Sequence, residues 1–365
     1  MINIEWLNQP VKEIASSAIG DAIDRQNSLT KPPGSLGMLE EIAIRLSAMR
    51  YSRNKDSVMP AVDAVKIVVF AADHGIAQEG VSAFPQAVTA EMVKNFSAGG
   101  AAISVLAKEL NAELEVVNTG TVSELEEMPG VIDRRIAAGT ANFYQQQAMS
   151  ESQLVEALQV GYEAVERAQP VLSCNGSRQP LELFIAGDMG IANTSSATAI
   201  ACALLGSSAK EIAGPGTGLD EAGINHKIDI IQQSLDKHQL NSNEPLQVLQ
   251  TLGGFEISAM TGAYIACAQK AIPVLVDGFI SSVAALAAIK INPNVKDWFF
   301  FSHASAEPGH KKIMQAIQVE PLIDLNMRLG EASGAAVVVP LMRLSCALHN
   351  KMATFAQAGV SNKDE

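Results

Sequence analysis

The sequence predicts an α/β protein: a parallel sheet with helices on both faces, joined to a smaller helical domain made from the two ends of the chain. Three observations carry this. Short, β-branched, nearly continuous apolar runs recur along the chain, as strands buried on both faces require. Segments with helical spacing lie between them, and that alternation belongs to parallel sheets. Each run ends in Gly with Asp, Asn, Ser, Thr or His, the chemistry expected at the carboxyl edge of such a sheet, where ligands bind.

Taken in order, the first 60 residues read as helical and peripheral. Lys31-Pro32-Pro33-Gly34-Ser35-Leu36-Gly37 is an irregular loop, because paired prolines followed by glycine cannot continue a helix. Residues 39–49 repeat apolar side chains at helical spacing, and Arg53 to Pro60 reads as a polar linker. The run Val65–Ala72 is the first strand; others fall at 114–117, 183–186, 273–276 and 298–301. Helical patterns lie at 89–96, 101–110, Glu151–Arg167, 195–205, 220–235 and 281–289. From Ala335 to about Ala358 a long apolar-faced helix is expected, bent at Pro340 and stopped by Gly359. Packed on the N-terminal helices it would complete the smaller domain. The division is residues 1–60 with 335–365, and 61–334 as a large, Rossmann-like catalytic domain.

Composition narrows the function. Over 365 residues, 48% hydrophobic and 18% charged content fits a packed globular protein and argues against disorder. A net charge of −13 argues against a nucleic-acid surface or an anionic membrane. The most apolar runs, about 10 residues, are too short to span a bilayer. Cys174, Cys202, Cys267 and Cys346 are far apart, so neither a disulfide framework nor a zinc knuckle is expected, and a reducing cytoplasm is the natural setting. Met1-Ile2-Asn3-Ile4-Glu5-Trp6 lacks the features of a signal peptide.

The strand-end residues are the candidates for chemistry: Asp73-His74-Gly75, Asn118-Thr119-Gly120, Gly187-Asp188-Met189-Gly190, Asp277-Gly278-Phe279, and Ser302-His303 through His310. Asn193, Thr194 and Ser195 open an Ala-rich helix, where amides and small hydroxyls can cradle a phosphate. Plain N-capping accounts for one of the three equally well. Gly214-Pro215-Gly216-Thr217-Gly218 is a second glycine-rich loop, with Lys227 about two turns into the helix beyond it. Loop and lysine could close over a phosphate, or the loop could simply join two helices. The spacing is not a dinucleotide fingerprint, and no P-loop or nucleophile elbow occurs. His74, His303 and His310 lack metal-ligand spacing, and Glu307-Pro308-Gly309 reads as a turn, so hydrogen bonds to backbone are expected of these histidines and no metal. In Arg328-Leu329-Gly330-Glu331-Ala332-Ser333-Gly334, a lone carboxylate stands between glycines at a helix start that Ser333 can cap. Glu331 is either a residue favoured by the helix dipole or a general base.

Together the motifs resemble one family. Leu29 to Gly37, Ala72-Asp73-His74-Gly75 with Glu79-Gly80-Val81-Ser82, Gly139-Thr140-Ala141-Asn142, Gly190 to Thr194, Leu252-Gly253-Gly254-Phe255-Glu256, Leu275 to Phe279, Ser302 to Glu307 and Met327 to Ala336 occur in one order along nearly the whole chain. This series is similar to that of the nicotinate-nucleotide–dimethylbenzimidazole phosphoribosyltransferases, which make the lower-ligand nucleotide of cobalamin. The resemblance implies transfer of phosphoribose from β-nicotinate mononucleotide to 5,6-dimethylbenzimidazole with inversion, no cofactor, and a homodimer. It implies Glu331 as catalytic base, and phosphate contacts from Asn193, Thr194, Gly216, Lys227 and Ser305. Phe84, Gln86 and Met92 fall near the aromatic-base pocket. Gly190, Thr217, Leu329 and Gly330 join the expected substrate contacts, as does Asp188, which stands where the family usually has Glu. Two other functions share some of these features. A nucleotide-binding protein without turnover would not release nicotinate, and a metal-dependent hydrolase using Asp73, His74 and His303 would lose activity on chelation.

Overall fold

The computed structural model describes residues 4–55, 59–216 and 218–361. Three residues of the expected linker, the first three residues, Thr217 and residues 362–365 of the expected small domain therefore lie outside what is described. The strands are β1 Val65–Ala72, β2 Glu113–Gly120, β3 Val131–Asp133, β4 Val171–Leu172, β5 Arg178–Gln179, β6 Leu183–Met189, β7 Val274–Val276 and β8 Phe299–Phe301. Six form one sheet in the order β3-β2-β1-β6-β7-β8, while β4 and β5 make a small hairpin. Every pairing in the large sheet is parallel. The chain builds outward from β1 through β2 to β3, then returns to β6 and builds the other way. The order reverses between β1 and β6, and a crevice opens at such a switch point.

Every residue of β1 is buried, and continuous burial is why its apolar run shows no alternation. At their carboxyl ends β2 and β6 run further than expected. Asn118, Thr119, Gly120, Gly187, Asp188 and Met189 belong to the strands themselves.

The helices are α1 Ser16–Ser28, α2 Met38–Arg53, α3 Ala87–Ala98, α4 Ala102–Leu110, α5 Glu151–Arg167, α6 Asn193–Leu205, α7 Ala209–Ile212, α8 Glu221–His238, α9 Pro245–Leu252, α10 Phe255–Gln269, α11 Phe279–Ile291, α12 Pro308–Ile317, α13 Ser333–Lys351 and α14 Phe355–Ala358. A capping box between Ser150 and Gln153 starts α5, and the Asp220 carboxylate accepts the Gly223 amide to start α8. Helix α10 has no counterpart in the sequence reading. It is buried on every face from Phe255 to Ala268, so it lacks the apolar stripe that marks an amphipathic helix.

Three expectations at helix ends need correction. Glu307-Pro308-Gly309 is the start of α12, with Pro308 in the first turn, where a missing N–H costs nothing. Helix α13 continues through Pro340 but stops at Lys351, because Thr354 caps a separate short helix, α14. Ser333 does not cap α13. Ala332 holds the cap position, and Asp277 Oδ1 accepts the Ala335 amide from the end of β7. The chain ends meet where Leu29 pairs with Thr354 and the Arg25 guanidinium donates to the carbonyls of His349 and Met352. No helix among the described residues is long and apolar enough to cross a membrane.

Candidate active site

A cleft of about 300 Å³ lies at the carboxyl edge of the sheet. It is lined from β6 and the loop beyond it by Asp188, Gly190, Asn193 and Thr194, and from the loop before α13 by Leu329, Gly330 and Glu331. Phe84 and Met92 contribute apolar surface, and Gly216 and Ser305 polar surface. Eleven residues expected from the sequence therefore share one cavity. Phe84 and Leu329 are 49% and 57% exposed, large apolar groups open to solvent where a flat aromatic ring could lie against them.

The turn carrying Glu331 is strained. Glu331 and Ala332 have φ of 63° and 69°, a left-handed conformation that side-chain-bearing residues rarely adopt. Such residues cost on the order of 1–3 kcal/mol each and persist where surrounding packing enforces them. Gly187 supplies that packing: a Cβ there would stand 2.5 Å from Ala332 N and 2.6 Å from Glu331 C, so only glycine lets the turn lie on β6. The Glu331 carboxylate accepts a backbone hydrogen bond from Ile103 in the first turn of α4. Its Oε2 is buried without a hydrogen-bond partner. Burial raises the Glu331 pKa above the usual carboxylate range, and the nearby Asp277 charge adds to the rise.

Glu331 is isolated from other charges only in sequence. Asp188 lies beneath the same turn, and its Oδ2 accepts from Asn193 Nδ2 at 2.9 Å. Burial drives the Asp188 pKa well up, with the charges of Asp277, Glu256 and Glu331 adding to the effect. Asp277 is also raised by burial, opposed by His303 and by amides of the α13 start. Asp188, Asp277 and Glu331 thus gather three carboxyl groups in one buried corner of the cleft, and burial raises the pKa of each.

The other corner is cationic. Lys227 on α8 is fully buried, and its Nζ donates to Thr194 Oγ1 at 2.9 Å and to the Gly214 carbonyl at 3.3 Å. Burial lowers its pKa to about 8, with the Glu307 charge pulling the other way. Gly216 closes this corner: a Cβ would stand 2.9 Å from Thr194 Oγ1 and 3.5 Å from Lys227 Nζ. The start of α6 is not capped by Asn193, Thr194 or Ser195; Ala192, at φ 73°, holds the cap position. The Asn193 and Ser195 amides bond to the carbonyls of Gly190 and Ala192. An anion here would meet the Thr194 hydroxyl, with the lysine behind it, rather than an open row of amides.

Some expected residues stand elsewhere. Gln86 does not line the cleft; its Nε2 donates to the His74 carbonyl at 2.8 Å. Lys227 lies behind Thr194 rather than on the cleft wall. Thr217 lies outside the described residues. His74 does not bond to backbone through its ring; it bridges Ser196 and Glu256 side chains. His310 does, with Nδ1 accepting the Ser305 amide at 3.3 Å. No group of three or more His, Cys, Asp or Glu among the described residues is arranged to hold a metal ion. The cleft also takes in Asp277, His303, Glu307 and Arg328. The first three are among the strand-end candidates just beyond β7 and β8, but the sequence assigns none of the four a substrate contact.

The chain matches a family model described as "Phosphoribosyltransferase" over residues 11–360. It is 51% identical, over 358 residues and 98% of both chains, to a Pseudomonas putida protein named nicotinate-nucleotide–dimethylbenzimidazole phosphoribosyltransferase. A Pseudomonas aeruginosa protein of the same name is 49% identical over 362 residues, 99% of both chains. A crystal structure bearing this name, from Thermus thermophilus, matches with a TM-score of 0.86 at 39% identity, covering 95% of this chain and 99% of that one.

Proposed function

The chain belongs to the nicotinate-nucleotide–dimethylbenzimidazole phosphoribosyltransferase family, and we propose that the cleft at the carboxyl edge of its sheet carries the family's reaction with Glu331 as the base. The enzyme transfers the 5-phosphoribosyl group from β-nicotinate mononucleotide to 5,6-dimethylbenzimidazole with inversion, giving α-ribazole 5′-phosphate and nicotinate. What carries the site assignment is the joining, in one cavity, of a buried, strained carboxylate, an anion corner and exposed apolar side chains.

Nicotinate leaves C1′ with a neutral ring nitrogen, so departure asks for no acid. The benzimidazole nitrogen attacks from the opposite face, which inverts the anomeric carbon. As the new C–N bond forms, the second ring nitrogen becomes acidic. Glu331 accepts that proton, and its raised pKa makes it a stronger base than an exposed carboxylate. Thr194, Gly216, Lys227 and Ser305 hold the phosphate, with Asn193 and Gly190 shaping the loop. Phosphate binding away from C1′ fixes the ring in line for attack. Phe84, Met92, Leu329 and Gly330 flank the aromatic base. Asp188, in the cleft wall beneath the Glu331 turn, contacts the substrate.

The same reading takes residues 1–60 and 335–365 as a small helical domain, supported by the pairing of Leu29 with Thr354. It takes the working form as a cytoplasmic homodimer, with four free cysteines consistent with a reducing compartment. Mixing the two substrates with enzyme and resolving the product by NMR tests the reaction. Release of nicotinate with equal formation of the α-anomer is expected; a β-anomer or no release would refute it.

A further inference from the structure

Two motifs of the sequence have no part in the reaction so far: Asp73-His74-Gly75 after β1, and Gly253-Gly254-Phe255-Glu256 at the start of α10. The fold brings them together. His74 Nε2 lies 2.7 Å from Glu256 Oε1, and His74 Nδ1 lies 2.8 Å from Ser196 Oγ. The His74 and Glu256 side chains are both fully excluded from solvent. A carboxylate offers only acceptors to this bond, so Nε2 carries its hydrogen and Nδ1 faces the serine hydroxyl. Ser196 is in the first turns of α6, two residues beyond Thr194.

We propose that Glu256, His74 and Ser196 form a buried strut that sets the start of α6 and so positions Thr194 and its loop for the substrate's phosphate. The proposal rests on the phosphate reading of that loop. All three are positioning residues, since none of them lines the cleft. The strut spans the sheet's switch point, with His74 following β1 and α6 following β6. It also bears on the loop itself. A Cβ on Gly190 would stand 3.3 Å from His74 Nε2, so the ring packs directly beneath that glycine. The His74 backbone carbonyl is held by Gln86 Nε2 at 2.8 Å, which gives Gln86 a role although it does not line the cleft. Gly254 has the complementary task. A Cβ there would overlap the imidazole and stand 2.5 Å from Glu256 Oε2, so the glycine is what admits the pair. A buried polar chain of this kind gains little stability over an apolar core of the same shape. Its value lies in orientation, because each bond has one geometry.

Steady-state kinetics of Ser196→Ala, His74→Gln and the double variant test this, with inhibition by inorganic phosphate as a direct readout of the anion corner. Each single variant should raise KM for nicotinate mononucleotide and Ki for phosphate about tenfold, the loss of one buried hydrogen bond. The double variant should show no further loss, because both changes break the same link. KM for dimethylbenzimidazole and kcat at saturation should stay within about twofold, which a general loss of stability would not produce. Lys227→Met is measured beside them. If Lys227→Met raises Ki and folded Ser196→Ala does not, the strut is refuted and the phosphate site stands. If neither raises it, the phosphate site itself is misplaced and the strut falls with it.

Discussion

Asp277 Oδ1 accepts the backbone N–H of Ala335 at 2.7 Å, so the helix following the Glu331 turn is capped from the end of β7 and not by its own first residues. The bond ties the turn to the sheet. Asp277→Ala should cost about 0.5–2 kcal/mol, as loss of an N-cap does. It should also lower kcat about tenfold while leaving KM for the nucleotide within about threefold. Thermal unfolding and initial rates measured on one preparation check this. A lowered Tm with unchanged kcat would reduce Asp277 to a cap.

Gly187→Ala would press a methyl group against the Glu331 and Ala332 backbone. Overpacking costs about 1–3 kcal/mol, relieved here by lifting the turn off β6. A displacement of about 1 Å at a base can cost on the order of a hundredfold in rate. The variant should fold, bind nicotinate mononucleotide by calorimetry as the parent does, and turn over far more slowly. Parental kcat would show that the turn tolerates the shift.

The lysine in the anion corner predicts a pH dependence. Burial brings Lys227 down to about 8. Below that pH the amine is charged and attracts the phosphate; above it the charge is lost. The nucleotide kcat/KM should therefore fall as pH rises through about 8, and Lys227→Met should abolish that fall while raising KM throughout. Stability moves in the opposite sense. The unfolded lysine keeps its proton to about 10.4, so the unfolded chain binds more protons across this window and the folded state gains relative stability as pH rises. An alkaline fall in kcat/KM due to unfolding would contradict this account.

Phe84 and Leu329 offer apolar surface at the cleft. Phe84→Ala should raise KM for dimethylbenzimidazole about fivefold to tenfold, the loss of an aromatic contact of about 1 kcal/mol. KM for nicotinate mononucleotide should not move. An equal rise for both substrates would place Phe84 outside the base pocket.

Much of this was legible in the sequence where local chemistry decides structure. Strand β1 and helix α5 follow from a continuous apolar run and from a capped, amphipathic repeat. The strand-end rule led to Asp188, Gly190, Thr194, Asp277, His303 and Ser305, while Glu331 stood out as a lone carboxylate between glycines and the family motifs gave it its role. Long-range contacts were not legible. Helix α10 hides because burial on all sides removes its period. Asp277 acts on an amide 58 residues away, and His74 on a carboxylate 182 residues away, so no local pattern marks either pair. Ser333 read as a cap because of its residue type. The left-handed turn at Glu331 and Ala332 instead places Ala332 at the cap and leaves Asp277 to bond the helix.

The central claim is that Glu331 removes the proton from the attacking aromatic base. The most direct measurement is the pH profile of single-turnover α-ribazole 5′-phosphate formation by the parent and by Glu331→Gln. In the parent, the rate should fall on the acid side with a midpoint above the ordinary carboxylate range, since burial raises this group. Glu331→Gln should bind nicotinate mononucleotide normally, lose about a hundredfold or more in rate, and lose the acid limb. A glutamine variant with near-parental rate and an unchanged profile would contradict the account.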